Sequence, residues 1–208
     1  MSMKTTWSDG NARKEVIAPL SLIVSAFARV TDARKTLTPQ LRTDCGDTEL
    51  ILIDLGLNRC RLGGSALAQV YGQLGNAAPD VEDAGLLRAF FGALQQLNSR
   101  DKILAYHDRS DGGLFVTVCE MMFAGHCGAR LDLGTLSGGC TPVAVLFNEE
   151  LGAVIQVRRS DSAAVLQTLA AAGLGAACRS IGRLDGSGRL VIMAGGRQII
   201  ATDRIELQ

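Results

Sequence analysis

The sequence predicts an α/β domain of the α+β kind, a layered mixed β-sheet with flanking helices, and three observations carry that prediction. Short apolar runs of strand length alternate with longer segments of helical periodicity through the middle of the chain. The final stretch breaks the alternation and reads as antiparallel strands joined by Gly-Ser-Gly (186–188) and Gly-Gly (195–196) turns. The chain has 208 residues, 47% of them hydrophobic, which is enough to bury a proper core. Aromatics make up only 4%, so that core must be built from Leu, Val, Ile and Ala.

Taken in order, Pro19 opens a run from Leu20 to Val30 whose β-branched content suits a strand. Asp32 to Lys35 reads as one helical turn, followed by a polar connector with Pro39. Glu49 to Leu55 is apolar almost throughout, as a strand covered on both faces should be, and Gly56 ends it. Gly63-Gly64-Ser65 introduces a helix from Ala66 to Leu74, closed by Gly75. Asp80 is the expected N-cap of the longest helix, which runs to about Arg100. Leu87, Phe90, Phe91, Leu94 and Leu97 mark its core-facing stripe.

A strand over Ile103–Tyr106 precedes a helix over Leu114–Ala124, and Ala129–Leu133 is the next strand. Pro142–Phe147 reads as helix rather than strand, and Ala153–Val157 as a strand. Ser160 caps an alanine-rich helix that ends at Gly173. With no internal repeat, low-complexity tract or evident linker, a single domain is expected.

The chemistry concentrates in His107 to Gly113, read His-Asp-Arg-Ser-Asp-Gly-Gly. A strand that ends in a carboxylate, turns on paired glycines and feeds a helix suits a metal–phosphate group. Asp108 can ligate a hard cation such as Mg²⁺ through oxygen, and Ser110 offers a hydroxyl. The N–H groups of the first helical turn point at any anion placed there. The same residues also fit a bland reading, in which Ser110 or Asp111 caps the helix and Gly112-Gly113 makes the turn. His107 can orient Asp108, touch a phosphate, or be a satisfied structural group.

Elsewhere the signals are weaker. Gly63-Gly64-Ser65 could hold an anion at a helix start, although packing and capping explain it equally well. His126, beside Gly125, fits a helix C-cap. The six cysteines (Cys45, Cys60, Cys119, Cys127, Cys140, Cys178) show no C-x-x-C pair or zinc-like spacing and read as small buried hydrophobes. No cysteine sits in a Gly-flanked strand–turn–helix elbow of the kind that presents a thiol nucleophile. Lys+Arg and Asp+Glu both total 21, which leaves no electrostatic footprint for nucleic acid or an anionic membrane. The first residues do not form a signal peptide, and no apolar run spans a bilayer. Reduced thiols in a cytoplasm are the natural reading.

Several stretches together resemble one family. They are Ser2–Thr5, Ser21–Ala28, Arg34–Leu41, Leu62–Val70, His107–Leu114, Phe123–Gly128 and Phe147–Gly152. They are similar to the large single-chain phosphoribosylformylglycinamidine synthase of bacterial purine biosynthesis, a glutamine-dependent carbon–nitrogen ligase. The match keeps its order along the chain and falls in the second of two homologous synthetase halves, chiefly its carboxyl-terminal subdomain. The fold implied is that of the carboxyl-terminal domain of aminoimidazole ribonucleotide synthetase-like proteins. It covers residues 19–208, with 1–18 as the tail of a preceding subdomain or a linker. Residues 1–8 read as the tail of a strand and the chain stops after a terminal strand, so a fragment is expected.

What the resemblance implies about chemistry is specific. Such enzymes use ATP to activate an amide oxygen as a phosphate ester, which ammonia from glutamine then displaces. Asp108 corresponds to a magnesium ligand and Ser110 to a nucleotide contact, at an auxiliary ATP/ADP site. His107, Gly112 and Gly113 are its neighbours. The remaining ligands would lie in the companion subdomain, so the partners implied are the rest of the parent chain, including its glutaminase domain. The isolated chain is expected to be inactive. Asn148, Glu149 and Glu150 resemble a substrate-contacting position of the other half and are expected here to be structural. Two alternatives stand beside this: a related ATP-dependent enzyme of the same fold, and a docking module that binds nothing.

Overall fold

The computed structural model describes residues 4–17, 24–134 and 139–208. The chain divides into two compact units, Met1–Arg34 and Lys35–Gln208. In the first, β1 (Lys4–Asp9) pairs antiparallel with β2 (Ala12–Ile17) around Gly10, whose φ of +60° suits the turn. The strand expected near the amino terminus is thus present, with a partner the sequence reading did not anticipate. The strand expected over Leu20–Val30 is not found: residues 20–23 lie outside the described residues, and 24–30 run without regular structure. Val24, Phe27 and Val30 are exposed, so β-branched content there is not matched by a face to bury.

The second unit holds β3 (Thr48–Asp54), α1 (Ala66–Val70), α2 (Ala84–Ser99), β4 (Ala105–Asp108), α3 (Gly113–Gly125) and β5 (Gly128–Asp132). It continues with α4 (Pro142–Phe147), β6 (Gly152–Arg158), α5 (Ser162–Ala171), β7 (Cys178–Asp185), β8 (Arg189–Ala194), β9 (Arg197–Asp203) and α6 (Arg204–Leu207). Among the described residues these strands form a seven-stranded sheet in the order β4-β6-β3-β7-β5-β8-β9. The β5–β8 pair is parallel and the other pairs are antiparallel, so the sheet is mixed as expected.

Central β3 shows why the sheet is layered. Successive strand residues point to opposite faces. Leu50 and Leu52 pack with Leu114, Val118, Met121 and Met122 of α3 and with Val145 and Leu146 of α4. Ile51 and Ile53 pack on the other face with Leu94 and Leu97 of α2 and Val165 and Leu169 of α5. Each such side chain, buried fully, contributes about 1.5–3 kcal/mol of transfer free energy.

Local details depart from expectation where small residues intervene. The core-facing row of α2 is Leu86, Phe90, Ala93 and Leu97 with Leu94 beside it, the first two only partly buried, whereas Phe91 is 65% exposed and Leu87 also faces outward. Ala93 carries the core face there, and its small side chain hid the true phase. The α2 N-cap is Asp83 rather than Asp80, its Oδ1 accepting from the N–H groups of Gly85 and Leu86. α1 ends at Val70, before the predicted Leu74. Asp161, not Ser160, precedes α5.

Candidate functional site

β4 is an edge strand, paired among the described residues with strand β6 alone, and Asp108 is its last residue, opposite Ala153. Its side chain is 67% exposed, 3.6 Å from Nδ1 of His107. The other ring nitrogen, His107 Nε2, lies 2.6 Å from Glu120 Oε2 on α3. His107 is thus tied to the neighbouring helix through Glu120, while its other ring nitrogen stands beside Asp108 beyond hydrogen-bond distance. Ser110 and Asp111 are exposed in the turn that follows.

The turn itself is fixed from beneath by Arg109, which is only 6% exposed. Its Nε donates to the Glu150 carbonyl at 2.5 Å and its Nη2 to Asp54 Oδ1 at 2.5 Å, with Leu151 O at 3.2 Å. Asp54 closes the end of β3 by accepting from the N–H groups of Gly56 (3.2 Å) and Asn58 (2.8 Å). A buried charge pair is tolerated when its remaining donors and acceptors are satisfied, as they are here.

α3 begins without a side-chain cap. Gly112 occupies the N-cap position at φ +81°, and neither Ser110 nor Asp111 caps it through its side chain. Gly113 follows at φ +66°, where a Cβ would lie 2.5 Å from the Asn148 carbonyl oxygen. Both glycines are therefore dictated by backbone conformation and close packing. Gly113 N–H donates to the Ser110 carbonyl at 2.9 Å. Gly112 N–H donates to Glu149 Oε1 at 2.8 Å, and the same oxygen accepts from Ala66 N–H of α1 at 2.8 Å. One carboxylate thus sits against the positive ends of α1 and α3 together.

The residues around Glu149 complete a buried frame. Asn148 donates from Nδ2 to the Ala144 and Val145 carbonyls and accepts from Glu150 N–H, closing α4. Glu150 is 1% exposed and takes Arg61 bidentately, Nε–Oε1 2.7 Å and Nη2–Oε2 2.8 Å. The Glu150 carboxylate, with Glu82 helping, holds the Arg61 proton more firmly than usual against a smaller desolvation cost. Asn148, Glu149 and Glu150 thus tie α1, α3, α4 and the Arg61 segment together. Ser65 caps α1 through its hydroxyl, a Cβ on Gly63 would strike the Ala77 carbonyl oxygen, and Gly64 holds a φ of +73°, so capping, packing and backbone conformation account for the three residues. His126 is the α3 C-cap at φ +51°, as expected.

Sequence reasoning thus found the exposed residues, and the structure brings His107, Asp108, Ser110, Gly112 and Gly113 to one strand–helix junction. It missed Arg109, Asp54, Glu120, Arg61 and the bridging role of Glu149. Spacing alone offered no signal for these, since their partners lie far away in sequence. Among the described residues no group of three or more His, Cys, Asp or Glu side chains is placed to hold a metal ion. Cys119, Cys127 and Cys178 are buried, whereas Cys45, Cys60 and Cys140 are only partly so.

The architecture is that of a layered α/β domain with helices on both faces of a mixed sheet. Residues 49–195 match the family described as AIR synthase related protein, C-terminal domain, and the chain belongs to that family. Its fold is similar to Thermotoga maritima PurL complexed with ATP, with a TM-score of 0.64 and 12% identity over 84% of this chain and 27% of that chain. The same protein complexed with FGAR gives 0.61 and 11% over 84% and 30%. E. coli HypE, a hydrogenase maturation protein, gives 0.55 and 21% over 81% and 52%. The chain therefore spans about a quarter of the ATP-complexed PurL chain, covering 27% of it. At these identities the likeness is one of fold. Among the described residues, no helix is long and apolar enough to cross a membrane.

Proposed function

We propose that this chain is part of a large single-chain phosphoribosylformylglycinamidine synthase, acting in the cytoplasm. That enzyme is the ATP-dependent ligase that turns formylglycinamide ribonucleotide and glutamine into formylglycinamidine ribonucleotide. Within it, Asp108 contributes a ligand to Mg²⁺ and Ser110 a hydroxyl to the ATP or ADP of the auxiliary site in the second synthetase half. The observation that carries the reading is the exposed carboxylate of Asp108 at the mouth of a turn anchored by Arg109. Family membership supports it, as does a fold shared with PurL complexed with ATP, ADP and AMPPCP.

The donor set fits a shared site. Mg²⁺ commonly takes one or two protein carboxylates, keeps several waters and accepts phosphate oxygens for the rest. Asp108 supplies one such oxygen donor, and on this reading the companion ligands come from elsewhere in the parent polypeptide. When bound, the ion neutralises phosphate charge. His107, held by Glu120, stands beside Asp108, Gly112 and Gly113 let the turn approach closely, and Ser110 can donate to a phosphate oxygen.

Calorimetry with Mg·ADP tests this on the parent polypeptide and on this chain alone. The parent should bind and lose affinity on Asp108→Asn, and this chain should show neither synthetase nor glutaminase turnover. Ammonia-dependent turnover by this chain alone would sink the reading. A docking module that binds no ligand is favoured by one observation: Glu149 already occupies the positive ends of α1 and α3. Nucleotide affinity of the parent indifferent to Asp108→Asn would establish that alternative.

A further inference from the structure

On the α2/α5 face of the sheet, the helices cover β3 and β6 and the buried cluster stops at Cys178 of β7. Beyond it the strands form a concavity of about 440 Å³ whose lining includes Glu49, Arg130, Asp132, Arg159, Ser180 and Arg183. Arg130 on β5 and Arg183 on β7 are directly opposed in the ladder. Antiparallel partners lie about 5 Å apart at Cα, and like charges placed so destabilise a sheet. Nothing in the packing requires the repulsion, since both side chains are exposed.

The carboxylates close by are already engaged. Glu49 accepts from the Ser162 hydroxyl and Asp132 Oδ1 from Gly134 N–H at 2.9 Å. Asp47 lies 3.5 Å from Arg159. Asp185 is held below the usual carboxylate range chiefly by hydrogen bonds from Ser187, with Arg130 and Arg183 adding smaller electrostatic help. Among the described residues neither Arg130 nor Arg183 forms an ion pair.

We propose that Arg130 and Arg183 form a phosphate-monoester site on the part of this face that the helices leave uncovered, separate from the Asp108 turn. A phosphate dianion offsets two adjacent guanidiniums, and the planar fork of arginine matches its oxygens. The concavity is within the range of small-molecule sites and larger than a bare phosphate needs, so a phosphorylated small molecule fits better than the free ion. Ser180 on the same face can add a hydroxyl donor.

The test titrates the protein, without Mg²⁺, with glycerol 1-phosphate and with inorganic phosphate at low salt. The monoester should bind with a Kd of about 1 mM or tighter and more strongly than inorganic phosphate. Arg130→Gln and Arg183→Gln should each weaken it about tenfold, as loss of a charge-assisted contact does. Arg189→Gln on the neighbouring strand and Asp108→Asn should leave it unchanged, which separates this site from the nucleotide reading. Because one like charge is removed, neither cavity variant should melt below the parent when free of ligand. Absent binding, binding indifferent to both arginines, equal preference for inorganic phosphate, or a several-degree loss of melting temperature in either variant would each overturn the proposal.

Discussion

Arg109 reaches past the start of β6 to place its Nη2 2.5 Å from Oδ1 of Asp54, so the turn after edge strand β4 is anchored to the end of central strand β3. Both side chains are buried, and every further hydrogen bond of the pair goes to backbone. The exposed Asp108 and Ser110 flank this anchor in sequence, so the position of the turn depends on it.

Removing one partner should therefore be costly. Asp54→Ala leaves an uncompensated guanidinium in the interior and should lower unfolding free energy by about 3–5 kcal/mol. Replacing both, as Asp54→Leu with Arg109→Met, should recover part of that loss, because a packed apolar pair needs no charge compensation. Urea denaturation of the two variants checks it; equal destabilisation would mean the pair holds the turn through geometry that apolar groups cannot replace.

Glu149 makes a second, milder prediction. Glu149→Ala frees the N–H groups of Gly112 and Ala66, and unsatisfied donors cost about 1–3 kcal/mol. Hydrogen exchange should accelerate at both amides together, since one oxygen serves them. Glu149→Gln keeps an acceptor and should fall between the parent and the alanine variant.

The strands and helices of the second unit were legible because their apolar periods are strong: Glu49–Leu55 reads as a strand buried on both faces, and β3 is one. Phase was less legible. In α2 the alanine at position 93 carries the core face while Phe91 points outward, because packing rather than size decided which side was buried. Of the site, the strand–Gly-Gly–helix junction could be read from residue types alone. The frame beneath it could not, since Arg109–Asp54 spans 55 positions and Arg61–Glu150 spans 89. Such pairs are created by sheet order, which local sequence does not state.

Alkaline pH should weaken the fold before other groups intervene. Burial pushes the Cys60 and Cys119 thiols up to about 12 and Cys178 to about 11. An unfolded thiol ionises near about 8.5. The folded state therefore keeps protons that the unfolded chain releases, and unfolding is favoured as pH rises between those values. Stability should be level with pH below about 8.5 and then fall towards about 12 as far as these thiols are concerned. Cys119→Ala should flatten part of that slope, measured as denaturation midpoints between neutral and alkaline buffers; an unchanged slope would remove Cys119 from the account.

Asp108→Asn offers the cleanest separation of fold from function. The side chain is 67% exposed, and surface changes of this kind usually shift stability by no more than about 0.5 kcal/mol. Without ligand the variant should therefore melt with the parent. With Mg·ADP the two should diverge in the parent polypeptide, because a neutral amide replaces a charged oxygen opposite a divalent ion. At saturating ligand a tenfold weaker affinity removes about 1.4 kcal/mol of ligand-linked stability. Ser110→Ala should move in the same direction by less, since it removes one hydroxyl and leaves the carboxylate. The measurement is a melting curve with and without Mg·ADP for each variant, alongside ammonia-dependent turnover. On the proposed reading, turnover should change less than nucleotide-linked stability, because the auxiliary site would lie apart from the chemistry of the other half. A parent whose melting temperature rises with Mg·ADP just as far after Asp108→Asn would take the metal away from this residue and leave the turn with structural work alone.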